Sequence, residues 1–263
     1  MAGSGERFTG ERLHQGDPLF AVDLARHEAA YRFALADGLR GRVVEFGSGS
    51  GYGAALLAEA GLDVLALDRV APDPVPRRSP ARFVRADLRF APLRDACADA
   101  VLSFQVIEHL EDPTDYLFEM VRVLRPAGVA VVTTPNRATS DGENPFHVRE
   151  YLAQELEALL RSHFGDVVVR GVAGRGAVAA YYQARLDRIR RITRLDPLGI
   201  RRRLPRGLVE WAFARLARVV RAGIRRGPGI PDASWRDFPV THEVADCLDL
   251  LAVCREPIRR TDA

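Results

Sequence analysis

The stretch Val43-Val44-Glu45-Phe46-Gly47-Ser48-Gly49-Ser50-Gly51 constrains what this chain can fold into more than any other feature. A short apolar run from Arg42 to Phe46 has the character of a buried strand and ends on closely spaced glycines. Tyr52 to Ala60 then suits a helix, with Gly61 as its stop. A strand that runs into a glycine-rich turn and leaves it as a helix forms a ligand site at the carboxyl end of a sheet. Glycine supplies positive φ and lets a ligand lie against bare backbone.

The pattern continues downstream. Further strands are expected over Asp63–Leu67 (ending on Asp68), Arg82–Arg85, Asp99–Phe104, Val129–Thr134, Val167–Arg170 and Cys247–Cys254. Helices are expected over Val22–Leu39, from Asp112-Pro113 to about Leu124, and over Glu150–His163. Pro72, Pro74, Pro76 and Pro80 exclude a regular helix between the second and third strands. Strands alternating with helices predict an α/β fold: a seven-stranded, mostly parallel sheet with helices on both faces. The expected organisation is an N-terminal arm and cap helix (1–40), a ligand-binding core (41–170), an Arg-rich helical insertion or lid (171–243), and a last strand and tail (244–263).

Composition bounds the function classes. With 263 residues, 47% of them hydrophobic, the chain can bury a sizeable core. No apolar run approaches the roughly 18 residues of a membrane span. The polar, Gly-rich start lacks a signal-peptide core, so a cytoplasmic location is expected. Cys97, Cys247 and Cys254 form no Cys-x-x-Cys pair, which argues against a disulfide framework or a zinc site. There is no lysine, and fourteen of the arginines fall between Arg185 and Arg226 against three acids. That segment carries +11 of a net +3, leaving −8 for the rest. The basic segment reads as a helical lid with a solvated face, amphipathic over Gly207–Ile224. A second reading is peripheral contact with the inner membrane face or a lipid-linked substrate. Nucleic acid is disfavoured, because no aromatic interleaving accompanies the arginines.

The strand ends carry the chemistry. Asp68 lies 17 residues after Gly51, where a carboxylate can accept from vicinal ribose hydroxyls. Asp87, after the third strand, can accept from the exocyclic amine of adenine. A dinucleotide site is the competing reading, and Gly49-x-Gly51-x-x-Ala54 satisfies its spacing. Glu45 argues against it, since a carboxylate just before the first glycine suits a cationic amino-acid end better than a diphosphate.

From about Glu11 to Val169 the chain resembles the class I methyltransferases, of the Rossmann-like fold, that include those of ubiquinone and menaquinone biosynthesis. VVEFGSGSGYG, RADLRFAPLRDACADAVLSFQVIEHLEDP and FEMVRVLRPAGVAVVTTPN carry the resemblance. It implies S-adenosylmethionine as cofactor. Glu45, Gly47 and Gly49 would hold its methionine part, Asp68 the ribose, and Asp87 and Leu88 the adenine, with Phe104 lining the pocket and Ser48, Gly51 and Arg69 completing the cofactor-binding set. Thr9-Gly10-Glu11-Arg12 and Asn144-Pro145-Phe146-His147-Val148-Arg149-Glu150 look like segments of methyltransferases that modify sugars and polysaccharides.

Gln105-Val106-Ile107-Glu108-His109 follows the fourth strand and would face the donor's sulfonium. Related quinone O-methyltransferases carry Glu-x-x-Glu-His here and use it to hold a divalent cation such as Mg. The first Glu is Gln105 in this chain, a weaker ligand. His109 is the candidate general base, with Glu108 and His147 as further catalytic candidates. Glu108 and His109 are the candidate metal ligands. His14, His27, His163 and His242 read as structural or surface residues. The expected function is O-methylation of a sugar, glycan or similar small-molecule acceptor. The rivals are a quinone or phenol acceptor and a non-catalytic donor-binding module.

Overall fold

The computed structural model of the chain describes Leu13 and residues 20–140, 142, 144–193 and 230–259. Its elements are α1 (Ala21–Ala36), β1 (Arg42–Phe46), α2 (Tyr52–Glu59), β2 (Asp63–Asp68), β3 (Arg82–Arg85), β4 (Ala98–Phe104), α3 (Thr114–Val123), β5 (Leu124–Pro135), α4 (Ala153–Arg161), β6 (Phe164–Val172), α5 (Gly176–Thr193), β7 (Val240–Thr241) and β8 (Asp249–Pro257). The expected basic helix over Gly207–Ile224 and the Thr9-Gly10-Glu11-Arg12 segment lie outside the described residues. Among the described residues no helix is long and apolar enough to cross a membrane.

The strands form one sheet in the order β3-β2-β1-β4-β5-β8-β6-β7. The five strands from β3 to β5 pair in parallel, and β8 runs antiparallel between β5 and β6. The sheet has eight strands rather than the expected seven. The extra one is β7, two residues that pair with Gly171 and Val172 at the edge. A two-residue strand carries no readable alternation, so the sequence pattern cannot announce it.

Period-2 alternation divides the core. Along β8, Leu251 and Val253 face a core with α1, α2 and α5, while Leu250, Ala252 and Cys254 face one with α3 and α4. Along β5, Val131 faces the first, and Ala130 and Val132 the second. Between β2 and β3 the chain forms only the single 3-10 turn Pro76–Arg78, as the prolines dictate. The Asp112 carboxylate accepts from the Thr114 N–H (2.9 Å) at the start of α3. The helix ends at Val123 and the chain passes directly into β5, five residues earlier than the apolar run suggests. A register shift between Ala98 and Ala100 accommodates Arg125 to Gly128 there.

Strand order reverses around β1, which lies between β2 and β4, so the ligand crevice of such a sheet falls at its carboxyl end. β8 starts at the same edge, because Asp249 pairs with Pro135. Asp249 is buried and takes an ion pair from Arg26 of α1 (3.0 Å). Asp23, one turn earlier, is held by the Tyr182 hydroxyl (2.8 Å) and Arg185 (3.3 Å) of α5. This cluster fastens α1 and α5 to the sheet edge. Arg26→Met leaves Asp249 without its partner and is expected to cost roughly 3 kcal/mol of stability, read from the urea midpoint at unchanged m.

Candidate functional site

β1 delivers Glu45 and Phe46 to the carboxyl edge, and the glycine loop folds back over β2. The N–H groups of Gly47 and Ser48 donate to the Leu67 carbonyl (2.8 and 3.1 Å), and Gly51 N–H donates to Ser48 O (2.8 Å). Gly49 has φ +53°, and a Cβ built on it would meet nothing within 4 Å. The loop therefore presents bare backbone to open space at this residue. The Gly49 N–H donates to Asp68 Oδ2 (2.7 Å), and Asp68 Oδ1 accepts from Val70 N–H (2.9 Å). The carboxylate expected to meet a ribose thus also fixes the loop.

Glu45 is 1% exposed. Its Oε1 accepts from the Tyr31 hydroxyl, and its Oε2 is buried with no partner among the described residues. Burial pushes its carboxyl up to about 7, against the pull of the Tyr31 hydrogen bond and with a further push from the Asp68 charge. Phe104 ends β4 and packs edge-on against the Tyr31 ring (4.6 Å between centroids).

Asp87 and Leu88 follow β3, as expected, and Asp87 has partners of its own. Asp87 accepts from the Arg89 backbone N–H (3.0 Å) and from its guanidinium at both oxygens (3.1 and 2.8 Å). These Arg89 bonds hold its carboxyl well below the usual range, and the charge of exposed Arg69 adds to the effect. A short turn at Leu88–Phe90 folds Arg89 back onto Asp87. The carboxylate expected to accept from adenine is held in a charge-assisted fork by Arg89. Half-buried Leu88 remains as apolar lining beside it.

After β4 the backbone turns sharply. Gln105 has φ +56°, a costly conformation for a side chain, and its N–H donates to Thr133 O (3.0 Å). A 3-10 turn at Ile107–His109 then places Glu108 inward. Glu108 is fully buried, with Oε2 accepting from Thr134 Oγ1 (3.1 Å) and Oε1 unsatisfied. Burial pushes this carboxyl up. Its backbone carbonyl accepts from Val148 N–H (2.8 Å) and Arg149 N–H (3.1 Å), which ties the 144–149 loop to the site.

That tie brings His147 beside His109, with ring centroids 5.2 Å apart. The His109 Nδ1–H donates to the Phe146 carbonyl (2.9 Å), which puts the proton on Nδ1 and a lone pair on Nε2. His147 Nδ1–H donates to Glu150 (2.7 Å), and Asn144 donates to its Nε2 (2.8 Å). Ligand atoms of Glu108, His109 and His147 lie within 4.8 Å of one another. The three candidate catalytic residues, 39 positions apart at most, form one cluster.

Two functional features escape sequence reading. Tyr31 reads as one apolar position of a helix face, yet it bonds Glu45. Asp249, an acid inside the apolar run CLDLLAVC, was a visible signal of a buried ion pair at the edge. His27, expected to be structural, bonds Tyr52 (2.9 Å) and is pushed down to about 3 by burial.

Residues 44–132 match the model of a methyltransferase domain. The chain is 44% identical over 165 residues to a Mycolicibacterium smegmatis protein named "Probable S-adenosylmethionine-dependent methyltransferase", covering 59% of this chain and 63% of that one. A Mycobacterium tuberculosis protein of the same name is 41% identical over 174 residues, again with 63% of its length covered. The chain thus spans less than two thirds of these relatives. Among solved structures, a SAM-dependent methyltransferase of Thermotoga maritima superposes with TM-score 0.58 at 15% identity, covering 90% of this chain and 92% of its own. The fold is that of the class I methyltransferases. The [4+2]-cyclase SpnF has the same class I fold, with TM-score 0.55 at 18% identity over 88% of this chain and 80% of its own. Fold likeness at such identities leaves the reaction to be argued from the site.

Proposed function

We propose that this protein is an S-adenosylmethionine-dependent O-methyltransferase acting on a hydroxyl of a sugar, glycan or similar small acceptor. One observation carries the donor assignment: the glycine loop leaves open space over Gly49, whose N–H is held by Asp68, and the strand that enters the loop ends beside a buried Glu45 whose Oε2 has no hydrogen bond among the described residues. The residues fit the donor. Glu45 Oε2 meets its ammonium, Asp68 accepts from its ribose hydroxyls, and the bare loop receives its backbone-like chain. The sulfonium supplies an electrophilic methyl group. The names of the mycobacterial relatives support the same reading.

An alcohol attacks poorly until its proton is removed. His109, with its lone pair on Nε2, takes that proton, and Glu108 and the 144–149 loop fix the imidazole. The Asn-Pro-Phe-His-Val-Arg-Glu loop, like those of sugar-modifying enzymes, supports a hydroxyl-rich acceptor.

The unsatisfied Glu108 Oε1 favours a second reading, in which Glu108, His109 and His147 hold a divalent cation. Two imidazoles and one carboxylate suit zinc or manganese better than Mg, which takes mostly oxygen ligands. Turnover measured across a pH series with and without chelator separates the two. A general base leaves activity insensitive to chelation, whereas a cation site loses activity and regains it with added metal. Asp68→Ala is expected to weaken donor binding by roughly 1.5–3 kcal/mol, the range for hydrogen bonds to a charged group, measured by calorimetry. Unchanged affinity would make Asp68 a bystander.

A further inference from the structure

We propose that Tyr31, on the N-terminal helix α1, is a positioning residue for the methyl donor: its hydroxyl engages one oxygen of Glu45 and leaves the other aimed at the donor's ammonium. The inference rests on the donor site proposed above and assigns a task to α1 that the glycine loop cannot perform for itself.

The geometry is specific. Tyr31 is 4% exposed, and its hydroxyl donates to Glu45 Oε1. Its ring packs edge-on against Phe104 and against Tyr52 of α2 (5.9 Å). The ring occupies a slot that exists because residue 53 is glycine. A Cβ at Gly53 would overlap Tyr31 at Cζ and at the hydroxyl. The glycine after Tyr52 is thus a seat for Tyr31 rather than a ligand contact. Oε1 is thus committed to Tyr31, while Oε2 is buried without a hydrogen bond among the described residues, with the Ala54 N–H of α2 acting on the carboxylate from the helix side.

An electrostatic consequence follows. Burial and the Asp68 charge of β2 push the Glu45 carboxyl up, while the Tyr31 hydrogen bond and the Ala54 N–H of α2 pull it down. The balance is a carboxyl at about 7. The other groups near it do not titrate in this range. Burial and the Glu45 charge keep Tyr31 and Tyr52 protonated far above their ordinary value. Burial also keeps His27, bonded to Tyr52, neutral. Arg26, Glu28 and Asp249 act on Tyr52 as distant charges.

A cationic ammonium prefers the ionised carboxylate. Below about pH 7 donor binding must expel the Glu45 proton, so affinity falls by about tenfold per pH unit as pH drops. Removing the Tyr31 hydroxyl withdraws a bond that favours the ionised form, so the midpoint moves up.

The test is calorimetric titration of the full chain with S-adenosylmethionine from pH 5.5 to 7.5, where an α-amino group of pKa about 7.7–8.0 is still mostly protonated. Wild type is expected to bind more tightly as pH rises. Tyr31→Phe, which keeps the ring packing, should raise the midpoint by about one pH unit, so that binding weakens about fivefold at pH 7 and its affinity keeps climbing steeply up to pH 7.5, where the wild-type profile levels off. Glu45→Gln should flatten the profile, and adding Tyr31→Phe to it should shift nothing further. A structural role for Tyr31 would lower the melting temperature without moving the midpoint. Should Tyr31→Phe not fold, Gly53→Ala, which displaces the ring, is read in the same way. A flat wild-type profile, or an unmoved midpoint in the variant, overturns the inference and leaves the donor assignment standing. Failure of folded wild type to bind the donor at any pH overturns that assignment instead.

Discussion

Gly49→Val is expected to abolish S-adenosylmethionine binding while the protein stays folded. Residue 49 has φ +53°, and its missing Cβ points into space that no protein atom occupies within 4 Å. A β-branched side chain tolerates this conformation poorly and costs about 1–2 kcal/mol, a tolerable part of a typical domain's 5–15 kcal/mol. The same side chain would fill the cradle over the loop, where the donor meets backbone. Affinity should fall more than 100-fold, with circular dichroism showing the native spectrum. Gly61→Val controls for strain, because Gly61 (φ +91°) also faces open space but lies beyond the far end of α2. Equal loss of donor affinity in both variants would assign the effect to strain rather than to the cradle.

His109→Ala is expected to lower kcat by roughly 10²–10⁴-fold, with donor affinity changed little. The imidazole lies on the turn that leaves β4 at the edge where Glu45 and Asp68 also end, yet it touches neither. Its Nδ1 is held by the Phe146 carbonyl, so the proposed base acts through Nε2. A wild-type rate that rises with pH, on a limb that the variant loses, is the mark of a base at this position. Turnover near the wild-type level in His109→Ala, with and without chelator, would remove both the base and the ligand role. The base would then move to His147, which the 144–149 loop brings beside it and whose Nε2 would first have to give up its bond from Asn144.

Much of this site was legible in the sequence because it is built from strand ends. A strand followed by Gly-x-Gly-x-Gly declares its own turn, and Asp68 and Phe104 each close an apolar run. The features that were not legible depend on partners distant in sequence. Tyr31 meets Glu45 only because α1 packs against α2 and the sheet, and no local pattern distinguishes a phenol that bonds a carboxylate from one that fills a core. Asp87 was read from its place after β3, but the conformation of Leu88–Phe90 directs Arg89 onto it. The clustering of Glu108, His109 and His147 required the backbone bonds from Glu108 O to Val148 and Arg149, which spacing cannot convey. The lengths of β5, β6 and β8 exceeded expectation because pairing extends strands past their apolar runs.

The central claim is that the glycine loop, Glu45 and Asp68 hold a methyl donor whose methyl group passes to an acceptor hydroxyl. It is tested most directly by incubating the protein with S-adenosylmethionine carrying an isotopically labelled methyl group and a cell extract, followed by mass spectrometry. A labelled product carrying the methyl group on a sugar or glycan oxygen, formed by wild type and lost in Gly49→Val, is the predicted result. Donor binding without any labelled product would reduce the protein to a binding module. Label on a quinone, a phenol or a nitrogen would contradict the assigned acceptor.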